Sequence, residues 1–334
     1  MKKTLMFWSI SLVLLVGTIF VYYLFNSEEA QVKKYVKEAY DLDVVIKTMS
    51  SSGIASDHVY TVYPTGHRHL EFEVSFDPST STMTDNYARA AEADEELHKL
   101  EKVIPAINEL GFQGSEWDDN EIRVAFLDSM KKNSIHLYTS TPIEYETFEE
   151  KELSRIFKLQ ELIKESGASL KYATVEDTRE VPESNSIVIQ MEDMAEVQTE
   201  DELLAQLKRS NWGLASFYEN QKWAAEKEKV ENERFTFGSQ YDDYWFNCRK
   251  VNENGDCTNI LVSIYFTENN LTQSNVYLEK DLNSIFSLFE DTISPNGSIE
   301  YAFNGEGSNN GLRLTKQEIK KFGSTSDFIH ANFK

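Results

Sequence analysis

Residues 67–76 read His67-Arg68-His69-Leu70-Glu71-Phe72-Glu73-Val74-Ser75-Phe76. Leu70, Phe72, Val74 and Phe76 alternate with Glu71, Glu73 and Ser75, the period of a strand buried on one face only. The strand Arg68–Phe76 then pairs with His58–Tyr63 in a hairpin around Pro64-Thr65-Gly66. Along the chain, helices are mixed with such antiparallel hairpins rather than alternating strictly with strands, which favours an α+β fold over a doubly wound parallel sheet.

Working outward, Glu28–Tyr40 spaces Val32, Tyr35, Val36 and Tyr40 as one helical face. Leu42–Thr48 reads as a strand and Asp77–Thr84 as a polar loop. Asn86–Leu110 reads as one long amphipathic helix with Leu97, Leu100, Ile104 and Ile107 on a stripe, kinked near Pro105 and ended by Gly111. Strands follow at Ile122–Leu127, Ile135–Tyr138, Leu170–Val175 and Ser186–Met191. Capping boxes at Thr147, Thr199 and Thr315 open helices. A helix over Ser216–Glu228 precedes strands Arg234–Gly238, Tyr244–Val251 and Asn259–Phe266. Another helix centred on Asp281–Phe289 leads to a strand at Ser298–Phe303. Folded units are expected over 28–112, 113–212 and 213–334.

The N-terminus is of another kind. After Met1-Lys2-Lys3, Thr4–Phe25 carries no charge. As a helix it would span about 33 Å, enough to cross a bilayer. Trp8, Tyr22 and Tyr23 flank it as interfacial aromatics. The run is too long for a secretory signal and lacks an Ala-x-Ala cleavage pattern. The expected architecture is an N-terminal transmembrane helix at 4–25, followed by an ectodomain of antiparallel hairpins packed with amphipathic helices. Lys2 and Lys3 argue for a cytoplasmic N-terminus and an extracytoplasmic C-terminal domain, with membrane lipid as the first partner. Lys33, Lys34 and Lys37 weaken that charge asymmetry.

The chain has 334 residues and a net charge of −23, a surface that repels phosphate backbones and excludes nucleic acid as a partner class. Its two cysteines, Cys248 and Cys257, flank the turn-forming run Asn252-Glu253-Asn254-Gly255. In an oxidising compartment they are expected to form a disulfide, in cytosol two free thiols. Direct cross-strand pairing centres the turn on Asn252-Glu253, whereas Asn254-Gly255 prefers another centre, so spacing leaves the bridge open.

Tyr35-Val36-Lys37-Glu38-Ala39-Tyr40, Val59-Tyr60-Thr61-Val62-Tyr63-Pro64, Phe72-Glu73-Val74 and Asp85-Asn86-Tyr87 together resemble uncharacterised membrane-anchored or secreted envelope proteins of Bacillus-like Gram-positive bacteria. The resemblance covers residues 30–90. It implies an envelope protein and brings no activity or site with it.

For chemistry, the opening stretch is again the strongest candidate. On one strand face, His67, His69 and Glu71, continued by Glu73, offer two imidazoles and a carboxylate to a transition metal. A solvated outer face explains the same pattern without an ion. Ser129-Met130-Lys131-Lys132 has the Ser-x-x-Lys spacing of penicillin-recognising enzymes but no later Lys-Thr-Gly. Lys250 at the first position of a would-be calcium loop, and Leu261 at its twelfth, defeat that reading. Gly305-Glu306-Gly307 lacks the spacing of a dinucleotide loop and sets an acid where a pyrophosphate would lie. No cofactor motif and no nucleophile elbow occurs, so no catalytic residue is named. The sequence therefore favours a binding or interaction module with an envelope protein as partner, over a carboxylate-dependent envelope hydrolase.

Overall fold

The computed structural model describes residues 27–51, 57–116, 119–127, 132–179, 185–191, 197–238, 245–289, 297–306 and 311–333. Contacts divide these into two compact units. The first holds 27–105, 114–136 and 166–171; the second holds 106–113, 137–165 and 172–333.

The first unit opens with helix α1 (Glu28–Tyr40). The Ser27 hydroxyl accepts the Ala30 N–H at its start, and Asp41 ends it in the left-handed region. Strands β1 (Val44–Ser51), β2 (His58–Pro64), β3 (Phe72–Asp77) and β4 (Thr82–Asp85) form an antiparallel sheet in chain order. Val32 and Val36 of α1 pack with Val44, Tyr60, Val62, Phe72, Val74 and Phe76 in one core cluster. The alternation of 70–76 is thus used as expected, with Leu70, Phe72, Val74 and Phe76 all buried.

Two expectations shift here. The strand begins at Phe72 rather than Arg68, because 67–70 belong to the turn. Gly66, at φ +86°, swings the chain over, and the His67 N–H donates to the Pro64 carbonyl at 2.9 Å. The expected loop at 77–84 folds back as β4, pairing Val74 with Asp85 and Asp77 with Thr82.

The long helix expected over Asn86–Leu110 is two. Helix α2 (Tyr87–Leu100) buries Ala93, Glu96, Leu97 and Leu100, and a turn at 101–103 separates it from α3 (Ile104–Glu109). Pro105 sits in the first turn of α3, where its missing N–H breaks no helical bond.

Strand β5 (Phe112–Gln113) pairs antiparallel with the end of β7 (Lys132–Thr139) in the second unit. In the first unit, β6 (Val124–Leu127) pairs with the start of β7, Val124 opposite Ile135. The helix expected to open at Thr147 is broken at Glu152 into α4 (Phe148–Lys151) and α5 (Leu153–Ser166). Thr147 makes no capping bond; a 3-10 turn at Tyr145–Thr147 leads in instead. Strands β8 (Tyr172–Asp177) and β9 (Ser186–Gln190) pair antiparallel. Thr199 does close a capping box at the head of α6 (Glu200–Ser210), which α7 (Trp212–Val230) follows.

The C-terminal sheet of the second unit centres on β12 (Cys257–Phe266). It pairs with β10 (Phe235–Phe237) and β11 (Phe246–Val251), and with β13 (Ser298–Gly305), which pairs with β14 (Leu312–Thr315). Helix α8 (Leu278–Leu288) lies between β12 and β13 in the chain. Helix α9 (Lys316–Ile319) opens on the Thr315 capping box, and α10 (Thr325–Asn332) ends the described chain. Phe235, Phe246, Phe266, Phe289, Phe303 and Phe328 are fully buried together in its core.

The α+β architecture expected from the sequence needs correcting in two respects. The sheets are not built only of antiparallel hairpins: β12 and β13 run parallel from Asn259↔Ser298 to Phe266↔Gly305. Parallel neighbours need a crossover, which the segment containing α8 supplies. Secondly, among the described residues no helix is long and apolar enough to cross a membrane. The longest, α7, carries Glu219, Lys222, Glu226 and Lys227 among others. The transmembrane helix expected at 4–25 lies outside the described residues.

Candidate metal centre

The three metal-ligating candidates of the opening stretch go to three places in the first unit. His69 Nδ1 lies 3.7 Å from Glu121 Oε2. Glu71 is taken by two cations, Lys47 Nζ at 2.8 Å and Arg123 Nη1 at 3.0 Å. Partial burial pushes the Glu71 carboxyl up, but these bonds outweigh it and hold it below the usual range. A carboxylate so occupied has little to offer an ion. The strand face that would have aligned the three does not form, since 67–70 are turn.

His67 instead meets helix α2. Its Nε2 lies 3.6 Å from Oδ2 of Asp94, and Nδ1 of His98 lies 3.5 Å from that same oxygen. One nitrogen of each ring and a carboxylate oxygen all fall within 4.8 Å of one another. Among the described residues this is the one group of three or more His, Cys, Asp or Glu side chains gathered so closely. The two imidazoles meet edge to face with centroids 5.9 Å apart.

Local structure explains the arrangement. The Pro64–His67 turn brings His67 out at the end of β2. Asp94 and His98 stand one turn apart on α2, so their side chains share a face. The His98 Nδ1–H donates to the Asp94 carbonyl at 2.8 Å, which fixes the ring. That bond raises the His98 pKa; slight burial opposes it, and the charges of Asp94 and Glu101 add to it.

Asp94 is the unusual member. Its side chain is only 10% exposed, against 45% for His67 and 52% for His98. Its Oδ1 is buried and accepts no hydrogen bond. Sequence alone does not single out Asp94 and His98. The Asp-x-x-x-His spacing is visible there, but nothing in the sequence ties it to His67.

Two other features of the second unit bear on function. Cys248 and Cys257 are disulfide-bonded, with Cα atoms 5.7 Å apart. The conflict over the turn centre is resolved by register shifts between Cys248, Lys250 and Val251, which put Val251 opposite Cys257. The Gly255 N–H donates to the Asn252 carbonyl at 3.1 Å, so the turn stays on Glu253-Asn254 while the sulfurs meet. Beside this hairpin a cavity of about 220 Å³ is lined by Glu219, Lys222, Asp256 and others. Its two carboxylates are occupied: Glu219 accepts from Trp223 Nε1 at 3.3 Å, and Asp256 from Asn252 Nδ2 at 3.3 Å. The volume is below that of ordinary ligand pockets, ~300–1,000 Å³.

Of the other stretches singled out by pattern, Ser129, Met130, Lys131 and Gly307 lie outside the described residues. Comparison with known protein families, with curated proteins and with solved structures finds no match to this chain.

Proposed function

We propose that the protein is an extracytoplasmic module of the bacterial envelope that binds rather than catalyses. The observation that carries this reading is the bond between Cys248 and Cys257, the only two cysteines of the chain. Both are almost fully buried in the core of the second unit. A structural disulfide in a small-thiol-rich cytosol would be reduced, so the bridge favours an oxidising side of the membrane. Attachment to that membrane through residues 4–25, with the N-terminus cytoplasmic, rests on their sequence alone.

Binding is favoured by what stands exposed. Val276 and Tyr277, at the head of α8, are 84% and 54% exposed. Adjacent large apolar residues open to water suit a protein partner in the envelope better than a solvated surface. The chain's strong negative charge selects a basic face on that partner.

The test uses the full chain in a Gram-positive host. Protease added to intact cells is expected to remove the folded units. Alkylation without reduction is expected to leave Cys248 and Cys257 unmodified. Protection from protease until the cells are lysed, together with alkylation of both thiols, would overturn the placement.

A further inference from the structure

We propose that His67, Asp94 and His98 form a binding site for a divalent transition-metal ion of the zinc or copper type. The ion lies between Nε2 of His67, Oδ2 of Asp94 and Nδ1 of His98. This goes beyond the envelope reading and stands independently of it.

The first argument is the condition of Asp94. A carboxylate with nine-tenths of its side chain out of water needs donors. Oδ1 has none, and Oδ2 has only the two imidazoles, at 3.6 and 3.5 Å. Charge-assisted bonds of this type close to about 2.7–2.9 Å. The side chain is therefore held among partners that approach but do not satisfy it.

The second argument is spacing. Ligands bound at about 2.0–2.1 Å around a tetrahedral ion stand roughly 3.3–3.4 Å from one another. The two nitrogens lie 3.6 and 3.5 Å from Asp94 Oδ2, close to that separation, and one nitrogen of each ring and a carboxylate oxygen fall within 4.8 Å of one another. His98 Nδ1 then exchanges its bond to the Asp94 carbonyl for the metal, its proton moving to Nε2 or to solvent.

The donor set selects the ion. Two imidazoles and one carboxylate suit zinc, copper, nickel or ferrous iron, whereas calcium and magnesium demand oxygen. Three protein ligands leave a position open for water or an exogenous group. Because His67 stands in the β2–β3 turn and the other two on α2, the ion cross-links those elements.

The test is calorimetric titration of the purified full chain with Zn²⁺ and Cu²⁺, with Mg²⁺ and Ca²⁺ as hard-ion controls. One equivalent of Zn²⁺ is expected to bind, with no heat from the hard ions. His67→Ala and His98→Ala should each weaken Zn²⁺ binding at least tenfold, while His69→Ala leaves it unchanged. Both substituted rings are about half exposed, so unchanged melting in EDTA checks that the variants fold. As a second readout, Co²⁺ should give visible ligand-field bands that the His67→Ala/His98→Ala variant lacks. Zn²⁺ binding no tighter in the parent than in that double variant would overturn the site. An equal loss in His69→Ala would move it back to the opening stretch.

Discussion

Asp281 in the second unit and Asp94 in the first are both aspartates removed from water, yet the protein treats them differently. Asp281 has a side chain 3% exposed and meets the Arg234 guanidinium on both oxygens, Nε to Oδ2 at 2.6 Å and Nη2 to Oδ1 at 2.7 Å. Asn232 adds a bond at 3.3 Å, and the guanidinium lies 4.9 Å over the Tyr277 ring. Both oxygens have a donor, and the pair ties α8 to the strand that starts at Phe235. Asp94 has no such fork. It faces two imidazoles at 3.6 and 3.5 Å, and its Oδ1 accepts no hydrogen bond. The difference separates a carboxylate completed by its own chain from one left to be completed by something else.

Removing the fork from Asp281 would give it the condition that Asp94 has by construction. Arg234→Met keeps most of the side-chain volume and leaves Asp281 buried with only the Asn232 bond. The expected loss is about 3–5 kcal/mol in urea unfolding, the cost of breaking a buried pair from one side. This is the largest effect foreseen. A loss under about 1 kcal/mol would break the comparison, since an unmatched buried carboxylate would then be cheap in this protein and Asp94 would signal nothing.

Asp177, whose side chain is 1% exposed, is a second carboxylate completed by its own chain. It accepts backbone N–H groups from Ile143 at 3.0 Å and Asn185 at 3.2 Å, and Arg179 Nη2 at 2.7 Å. Burial pushes its carboxyl up, but the Arg179 and backbone bonds together hold it below the ordinary value. Asp177→Asn is expected to cost about 1.5–3 kcal/mol at neutral pH, the range for bonds to a charged acceptor. The folded pKa lies below the unfolded one. The contribution is therefore complete above about pH 4 and is lost as pH falls through the folded value. Parent and variant stabilities should converge in acid. A gap independent of pH would show that the loss is packing, not charge.

The same contrast explains what could be read in advance. The 3.6 period of Glu28–Tyr40 is local, and that helix forms as the spacing says; the period-two alternation puts Leu70, Phe72, Val74 and Phe76 in the core, but the strand itself starts only at Phe72. The Thr199 and Thr315 boxes are local too and hold. Where long-range packing decides, the reading slips. β4 is polar and short, and only pairing with β3 makes it a strand. The parallel β12–β13 ladder joins segments separated by α8, so hairpin logic does not reach it. The metal candidates show the limit most clearly. His67 was legible, but Asp94 and His98 reach it only because the β2–β3 turn meets helix α2. His69 and Glu71 join His67 only on a strand register that the Gly66 turn cancels.

The smallest effect tests the comparison most narrowly. Asp94→Asn removes the charge while keeping shape, and the amide can still approach both rings. In the parent without metal, that charge is buried with an empty oxygen and two distant partners. Its removal in EDTA is therefore expected to leave stability unchanged or raise it, with no loss in melting temperature. With excess Zn²⁺ the parent should gain stability as the ion binds the folded state, and the variant should gain far less. The two curves separate only when metal is present. If Asp94→Asn lowers the melting temperature in EDTA as much as in Zn²⁺, the carboxylate is already satisfied by His67 and His98 alone. Asp94 would then stand with Asp177 and Asp281 as a structural charge, and the difference between the two units would be one of bond length rather than of purpose.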